Sequence, residues 1–545
     1  MSEDDRRSFD LISQPWLSAR TTAGTTEQLS LAGVFRRAHE LTGLLGDVPT
    51  QVFALSRLLL GVLHGAMRGP RDIDEWEALW EADSLPADTI EQYLRRHGDR
   101  FDLLHPETPF FQVAGLHTAK QETSELSKLI ADVPNGHPFF TTRLGGRLSL
   151  SFAEAARWVV HAQAFDPSGI KSGAVGDSRV KGGKGYPIGV GWSGLLGGVL
   201  PEGRTLKQTL LLNLISRDYG ALARRADEDL PVWERPPVGP AEEEPGGRAA
   251  TGPVDLYTWQ SRRIRLVCEG ERVVGVLICN GERATPQNRH NVEPHTAWRR
   301  SQAQEKKLGV ALVYMPREHE PERAIWRGLQ SLLPGARATQ STDAAAYLSP
   351  TVLEWIGRVD NEIGLDLAVR VRTIGMTYGA QSSTTADIID DALSLHPILL
   401  RQDATDLAGV AVSCVAAAES AAKALGGLAR DLAAAAGCGR DEREGPRTRA
   451  IESAFAELDP RFRTWVAGLR ADTEVVAAQV EWHETANAVI RELGDYLISR
   501  APAKAWRGRA VDKRLVTLFD ADRWFRAGLR KALPLAYPAP APVVS

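Results

Sequence analysis

Phosphate binding is the chemistry that one glycine-rich stretch of this sequence suggests. Residues 165–198 contain eleven glycines in thirty-four positions and only two acids, Asp166 and Asp177. Glycine lets backbone amides come close to a ligand, and lysine and arginine supply positive charge for an anion. A flexible surface insert without a ligand explains the composition equally well. The basic residues of this glycine-rich stretch are Lys171, Arg179, Lys181 and Lys184.

A nucleotide-binding P-loop is excluded by the order of residues in the stretch. The pair Gly183-Lys184 is followed by Gly185, where a P-loop has a serine or threonine for magnesium. Ser178 stands where the first glycine of a P-loop would be. Contact with the phosphate backbone of a nucleic acid remains possible.

Catalytic and metal-binding motifs are missing elsewhere in the sequence. The twelve histidines show no HExxH spacing, no GxSxG occurs, and the four cysteines form no CxxC pair. The acid pair Asp390-Asp391 is explained by a solvated helix face. We therefore expect a protein that is not an enzyme and that needs no cofactor or metal.

Length and composition indicate a soluble, multidomain protein. The chain has 545 residues, of which 43% are hydrophobic and 25% are charged. The net charge of −4 means that any contact with nucleic acid must come from local basic patches. The N-terminus lacks an apolar signal core, and we find no run of about 18 apolar residues. These features predict a cytoplasmic protein without a membrane span.

The elements that must position these residues fall into two groups. The predicted fold class is α+β, with an irregular mixed α/β domain at 1–381 followed by a C-terminal four-helix bundle at 382–545. Helical spacing in the first domain covers 31–45 and 50–67, and strand-like runs cover 263–268 and 273–279. The glycine-rich stretch is predicted to contain neither helix nor strand. The bundle helices are predicted at 404–436, with a possible break at Gly426-Gly427, and at 448–469, 473–499 and 511–533.

The last predicted helix of the bundle lies in a strongly basic segment. Residues 500–531 contain ten lysines and arginines against three aspartates, with Trp506, Trp524 and Phe525 between them. A track for a phosphate backbone and a solvated helix surface both explain this pattern. The residues that we single out as DNA-binding candidates are Arg507, Arg509 and Lys513.

A short hairpin is predicted just before the bundle, at 373–384. Gly375 and Gly379 flank a β-prone piece, and Gln381 follows a tight turn. A polar residue at a hairpin tip can be inserted into a nucleic acid, but a plain interdomain turn also explains the segment.

Several segments, in order, resemble one family: the large subunit of the type I-E CRISPR Cascade complex, called CasA. They are FDLISQPWLSAR at 9–20, the apolar run at 41–63, HPETPFFQ at 105–112, and TLKQTLLLNLISRD at 205–218, which follows the glycine-rich stretch. The resemblance covers essentially the whole chain.

The resemblance implies a non-catalytic subunit of an RNA-guided antiviral complex. Such a subunit recognises a protospacer-adjacent motif (PAM) in double-stranded DNA from the minor-groove side, helps to open the duplex into an R-loop, and supports recruitment of a helicase-nuclease. The implied partners are the other Cascade subunits, their CRISPR RNA, the target DNA and the helicase-nuclease. A structural scaffold subunit that does not read the motif is the alternative.

The resemblance also implies roles for individual residues. The family's glycine loop corresponds to Lys181, Gly182, Gly183, Lys184 and Gly185. The wedge hairpin corresponds to Thr377–Gln381, with Ala380 and Gln381 at its tip, and the basic groove residue falls at Arg299 or Arg300. A loop near the guide-RNA 5′ end and the motif corresponds to Phe139, Phe140, Arg143 and Arg147. Some relatives carry cysteines that can hold zinc, and this chain lacks them.

Overall fold

The chain forms two compact units. The computed structural model describes residues 7–133, 148–223, 227–339, 345–511 and 514–537. The N-terminal unit comprises Met1–Arg323 and Thr342–Ala392, and the C-terminal unit comprises Ala324–Ser341 and Leu393–Ser545.

The N-terminal unit mixes short strands with helices. Its helices are α1 (Leu31–Arg36), α2 (Pro49–Met67), α3 (Ile73–Glu81), α4 (Ala87–Arg96), α5 (Phe152–Phe165), α6 (Leu206–Leu212), α7 (Pro253–Tyr257), α8 (Gln302–Leu308) and α9 (Thr351–Ile363). Its strands are β1 (Leu17–Thr21), β2 (Thr26–Leu29), β3 (Leu41–Leu45), β4 (Lys171–Ser172), β5 (Lys184–Gly185), β6 (Gly198–Glu202), β7 (Arg262–Glu269), β8 (Arg272–Asn280), β9 (Trp298–Arg300), β10 (Tyr314–Pro316), β11 (Tyr347–Leu348), β12 (Val369–Tyr378) and β13 (Thr385–Leu395).

Two small sheets connect the segments that sequence analysis singled out. The first has the order β5-β4-β8-β7, so the glycine-rich stretch adds its two short strands to the long hairpin β7–β8. The second has the order β13-β12-β6. Strand β6 ends the glycine-rich stretch and pairs antiparallel with β12, from Gly198 opposite Ile374 to Glu202 opposite Arg370. The hairpin that carries Gln381 is therefore bonded to the strand that follows the glycine-rich stretch.

Helix α2 is the central helix of the N-terminal unit. Proline at its first position fits the helix start, and every residue from Thr50 to His64 is buried. It packs against α4, α5 and α7. Length and composition would allow α2 and α10 (Thr405–Ala435) to cross a membrane, but their apolar windows are 83% and 50% buried in protein. A buried core helix explains α2, and a bundle helix explains α10.

The C-terminal unit is a four-helix bundle, which confirms the predicted α+β fold class. Helix α10 packs against α11 (Glu444–Gly468), α12 (Val475–Ser499) and α14 (Leu518–Ala532). Its centre is aromatic: the rings of Trp326 and Phe462 stack with centroids 4.5 Å apart, and Trp482 meets Phe462 edge-on at 4.9 Å. The unit also contains α13 (Ala503–Arg507) and a hairpin of β14 (Arg509–Val511) and β15 (Arg514–Val516).

Two predictions about the bundle were wrong. Helix α10 continues through Gly426-Gly427 without a break. Glycine at 426 lets α11 pack closely against α10, because a Cβ there would lie 2.7 Å from the Ile451 side chain. The last helix begins at Leu518, not at residue 511. Its start is set by a capping box in which Thr517 and Asp520 satisfy each other's backbone N–H groups.

Other segments also differ from the predicted elements. The helix predicted at 31–45 ends at Arg36, and Leu41–Leu45 instead pairs with β1. Residues 385–395 form β13 although their sequence reads as helical, because pairing with β12 outweighs local propensity. The domain boundary predicted after residue 381 thus lies inside a hairpin, and the N-terminal unit ends within β13, at Ala392.

Candidate nucleic-acid interface

The centre of the glycine-rich stretch is a tight two-residue hairpin turn. Lys181 and Lys184 exchange backbone hydrogen bonds of 3.0 and 3.1 Å across Gly182 and Gly183. Both glycines have positive φ, 58° and 74°, as a type I′ turn requires. All four residues are exposed, and nothing lies within 4 Å of where a glycine Cβ would be. The turn therefore presents two ammonium groups beside two uncovered peptide groups.

The other two basic residues of the stretch hold it in place. Arg179 donates to the Asp177 carboxylate at 2.9 Å, to Glu242 at 3.0 Å and to the carbonyl oxygen of Gly281 at 3.0 Å. Lys171 forms an ion pair of 2.5 Å with Asp166. Lys181 and Lys184 form no ion pair with any described residue. The exposed positive charge of the stretch is thus concentrated at the turn.

Several glycines of the stretch serve packing and not ligand approach. A Cβ at Gly173 would lie 2.7 Å from the Gly183 carbonyl carbon, and one at Gly185 would lie 2.9 Å from the Asn280 side-chain nitrogen. The prediction that the stretch holds no strand was wrong, because β4 and β5 pair and frame the turn. Gly185 is buried in this small sheet, so the exposed part of the predicted loop is 181–184.

Gln381 lies at the tip of the hairpin formed by β12 and β13. The Gly379 N–H donates to the Thr384 carbonyl at 2.9 Å and closes the tip. Gln381 and Ser382 both have positive φ, 55° and 53°, which is uncommon for residues with side chains. Ala380 and Gln381 are exposed. Backbone strain of this kind persists only where the surrounding structure enforces it, and here it directs an amide side chain outward.

The glycine-rich stretch and the Gln381 hairpin contact each other directly. The Ser168 N–H donates to the Ser382 carbonyl oxygen at 2.8 Å. A Cβ at Gly169 would lie 3.7 Å from the Ser383 Cβ, so glycine permits the close approach of the two backbones. Ser168 and Ser382 are 214 positions apart in the sequence, and their contact joins the two segments into one continuous surface of the N-terminal unit.

Arg299 and Arg300 lie on β9 and differ in availability. The Arg300 guanidinium pairs with Glu305 at 2.7 Å, which offsets its charge. Arg299 is exposed, and no ion pair with another described residue engages it. No hydrogen bond within the described part of the chain joins Arg299 to the glycine turn or to the Gln381 tip. Of the two candidates, Arg299 is the better placed for an external phosphate.

A buried ion pair supports the end of the glycine-rich stretch, and sequence reasoning missed it. Arg57 on α2 binds Glu293 through two hydrogen bonds of 2.9 and 2.8 Å, and the Trp192 indole N–H donates to Glu293 at 2.6 Å. Burial acts to raise the pKa of Glu293, but Arg57 and His295 hold it well below the ordinary value. The only signal in the sequence was an arginine within an apolar helix.

The basic segment of the C-terminal unit is only partly available to a ligand. Arg507 and Arg509 are exposed, and Arg509 donates to the Gly437 carbonyl at 3.0 Å. Arg523 and Arg526 are paired with aspartates at 3.1 and 2.8 Å. Beside Arg507, the exposed rings of Trp506 and Phe519 meet edge-on with centroids 5.5 Å apart. Phe525, which the sequence grouped with Trp506, is buried in the bundle.

Five predicted site residues lie outside the described residues. They are Phe139, Phe140, Arg143, Arg147 and Lys513.

Metal ligands are not gathered anywhere in the described part of the chain. No group of three histidine, cysteine or acidic side chains with the spacing of a metal site occurs there. The four cysteines are free, and burial raises the pKa of both Cys279 and Cys414 to about 12, so these two are unreactive thiols.

Comparison with known proteins places this architecture in a family. The model of the family described as CRISPR-associated protein Cse1 matches residues 10–493. The CRISPR-associated protein CasA/Cse1 of Thermus thermophilus is 30% identical over 402 residues, which is 72% of this chain and 71% of that protein. The crystal structure of Thermobifida fusca Cse1 is 49% identical and has a TM-score of 0.89, covering 97% of this chain and 98% of that one.

A more distant structure shares the fold. One chain of a solved CRISPR RNA-guided surveillance complex is 20% identical and has a TM-score of 0.67, over 98% of this chain and 100% of that one. The family model spans most of both units, and the crystal structure of a close relative matches nearly the whole chain. This chain belongs to the CRISPR-associated protein Cse1 family.

Proposed function

We propose that this protein is a non-catalytic subunit of an RNA-guided CRISPR surveillance complex of type I-E. In that complex it recognises the PAM in double-stranded DNA, helps to open the duplex and supports recruitment of a helicase-nuclease. Family membership supports a place beside other Cascade subunits and their CRISPR RNA in the cytoplasm. The observation that carries the DNA-recognition step is the hydrogen bond between Ser168 and Ser382, which ties the glycine-rich stretch to the Gln381 hairpin.

The shape of the glycine turn suits the minor groove. That groove is about 6 Å wide, so it admits a two-residue turn without side chains more readily than a helix. Lys181 and Lys184 flank the turn and can contact the phosphates on either side, and the Gly182 and Gly183 N–H groups donate to no described residue. Readout through backbone groups is degenerate, which suits a protein that accepts several related motifs.

The remaining candidates would contact the DNA backbone. Arg299 supplies a further positive charge in the N-terminal unit, and Arg507 and Arg509 supply charge in the C-terminal unit. We assign these arginines to phosphate contacts, because exposed guanidinium groups without a rigid base-reading geometry position a duplex and do not read it.

A pair of substitutions at one position tests the glycine turn. In the assembled complex, Gly183→Asp adds a negative charge where the backbone would approach DNA. Gly183→Asn carries nearly the same shape and the same positive-φ strain without the charge. We expect the Asp variant to bind duplexes with an intact motif at least about tenfold more weakly than the Asn variant, the size of one lost charge-assisted contact.

Duplexes with a mutated motif provide the second comparison. If the turn reads the motif, the wild-type complex distinguishes intact from mutated duplexes and the Asp variant loses much of that preference. Equal affinity of the Asp and Asn variants for the intact motif would remove the turn from recognition and favour the scaffold alternative.

A further inference from the structure

A cavity lies directly behind the Gln381 tip within the N-terminal unit. It has a volume of about 300 Å³ and is lined by parts of three segments, 124–133, 161–172 and 383–385, together with Ile278. This volume is at the lower end of the roughly 300–1,000 Å³ of small-molecule cavities in proteins. The third segment belongs to the Gln381 hairpin, so the cavity shares a wall with the proposed site of duplex opening.

The cavity contains an excess of buried positive charge. One oxygen of the buried Asp166 carboxylate accepts from both Lys171 Nζ and Arg262 Nε, each at 2.5 Å. Arg262 directs its other donors to backbone carbonyl oxygens, including those of Pro167 and Gly189 at 3.0 and 2.8 Å. One carboxylate therefore faces two cations, and Lys171 is the cation that lines the cavity.

A second lysine reinforces this charge. Lys128 lines the same cavity. Burial lowers the pKa of Lys171, and the positive charges of Arg262 and Lys128 lower it further. The Asp166 carboxylate acts in the opposite direction and raises this pKa. An anion placed between Lys171 and Lys128 would relieve this repulsion. His161 also lines the cavity but stays neutral, because burial lowers its pKa to about 3.

Hydroxyl groups and apolar surface complete the lining. Ser127, Ser172 and Thr384 contribute hydroxyls whose side chains make no hydrogen bond with other described residues. A hydroxyl can donate to a phosphate oxygen, and several around one anion share its charge. Phe165 and Ile170 line the cavity as well, and Ile170 is 59% exposed. The lining thus offers an apolar surface for a base or sugar, and beside it a positively charged, hydroxyl-rich surface for a phosphate.

We propose that this cavity binds one unpaired nucleotide, with its phosphate at Lys171 and Lys128 and its base or sugar on the apolar wall. This inference rests on the proposed function for the source of the nucleotide: a strand that separates at the Gln381 tip meets the cavity formed by 383–385. Capture of the first unpaired nucleotide would hold the opened duplex apart, because the strand cannot re-pair while it is bound.

Binding of thymidine monophosphate to the free full-length chain tests the cavity without any motif recognition. Lys171→Met keeps the length of the side chain and removes its charge, and Asp166 retains its ion pair with Arg262. We expect this variant to bind the nucleotide at least about tenfold more weakly than the wild type, since a charge-assisted contact is lost. The Lys128 side chain is exposed, so Lys128→Gln should leave the fold intact. This variant should bind the nucleotide about threefold or more weakly than the wild type, as expected for the loss of a less buried charge.

A matched control and two further probes decide the ligand class. Lys120→Gln removes an exposed lysine that precedes segment 124–133 and does not line the cavity, and this variant should bind the nucleotide like the wild type. Thymidine without phosphate should bind more weakly than the monophosphate. Equal binding of thymidine, equal binding of inorganic phosphate, or unchanged binding by both lysine variants would each overturn the proposal.

The role in strand capture is measured separately in the assembled complex. A 2-aminopurine base beside the motif reports whether an unpaired nucleotide is sequestered, and Lys171→Met should lower that signal at full occupancy of the motif. An unchanged signal would overturn capture during opening. Since nucleotide binding by the free chain does not involve the motif, its failure is distinguishable from failure of the Gly183 comparison, which tests the proposed function.

Discussion

The hydroxyl of Tyr378 donates a hydrogen bond of 2.8 Å to the backbone carbonyl oxygen of Phe165. Phe165 is the last residue of α5, where helix carbonyls have no partner within the helix. Burial raises the pKa of Tyr378 well above its ordinary value, so the hydroxyl remains a donor. Gly194 is needed for this contact, because a Cβ there would lie 2.1 Å from the Tyr378 oxygen. This bond, together with that between Ser168 and Ser382, joins the Gln381 hairpin to the start of the glycine-rich stretch.

Replacing Tyr378 with Phe should loosen the hairpin from the helix end. The change removes one hydrogen bond and leaves a carbonyl without its donor, which costs about 1–2 kcal/mol in free energy of unfolding. We expect faster amide hydrogen exchange at 376–385 and a lower urea midpoint. Tyr186→Phe is the control, because that side chain is 54% exposed. Unchanged exchange at 376–385 would show that the sheet pairing of β12 alone fixes the hairpin.

The buried His161 should make the N-terminal unit sensitive to acid. Its ring Nε2 and the Thr50 hydroxyl form a hydrogen bond of 2.9 Å, and burial lowers the pKa of His161 from 6.5 to about 3. Below pH 6.5 the unfolded chain takes up a proton that the folded chain does not, so stability falls as pH falls toward 3. Between these two pKa values, His161 alone reduces the free energy of unfolding by an amount that approaches about 1.4 kcal/mol per pH unit.

Urea unfolding at several pH values between 7 and 4 measures this effect. His161→Gln keeps a hydrogen-bonding side chain without a titrating group, so we expect a shallower dependence of stability on pH. His117→Gln, a change at an exposed histidine, serves as the comparison. The same slope in both variants would contradict the assignment to His161.

Local patterns predicted the apolar elements of the N-terminal unit well. The helix predicted at 50–67 is α2, and the strand runs predicted at 263–268 and 273–279 lie within β7 and β8. Such features depend on near neighbours in sequence, which is why periodicity and composition found them.

Features that depend on distant partners were not predictable in this way. The strand at 385–395 exists because β12 pairs with it, although its sequence reads as helical. Arg179 looked like a ligand-binding residue, but Asp177 and Glu242 engage it. The exposed pair of Trp506 and Phe519 is formed by residues thirteen apart, on two different helices. In each case the partner decides the role, and only the fold identifies the partner.

Charge reversal at Arg507 and Arg509 should weaken DNA binding by the assembled complex regardless of sequence. Both side chains are exposed, and each lost phosphate contact reduces the slope of log affinity against log salt by about 0.9. Changing both to Glu should therefore reduce the slope by roughly 1.8, at equal cost for intact and mutated motifs. Affinity is measured across a series of salt concentrations.

The matched control reverses two arginines on α11, Arg447 and Arg461. Each already pairs with a glutamate of its own helix, at 3.1 and 3.0 Å. The net charge change is the same, so a general electrostatic effect would appear in both variants. A salt slope that stays at the wild-type value in the Arg507 and Arg509 variant would mean that these residues face a protein or solvent.

Gln381 should act at strand opening and not at initial binding. Its side chain extends from a strained tip held by the Gly379–Thr384 and Ser168–Ser382 bonds, so it can occupy the place of a separated base pair. Unstacking costs a few kcal/mol per step, and a fixed wedge can supply part of it. We expect Gln381→Ala to assemble normally, to bind the motif within about twofold of wild type, and to open linear DNA about tenfold less, a loss of about 1.4 kcal/mol.

A second substitution at the same position separates the side chain from the backbone. Gln381→Gly relieves the positive-φ strain at a residue whose φ is 55°, so it should be at least as stable as Gln381→Ala and yet open DNA equally poorly. Permanganate footprinting on linear and supercoiled targets measures opening. Negative supercoiling should partly rescue both variants, because it supplies unwinding energy from the DNA itself. If either variant opened linear DNA as well as the wild type does, the amide side chain would not be the wedge, and the hairpin would be a connection between domains.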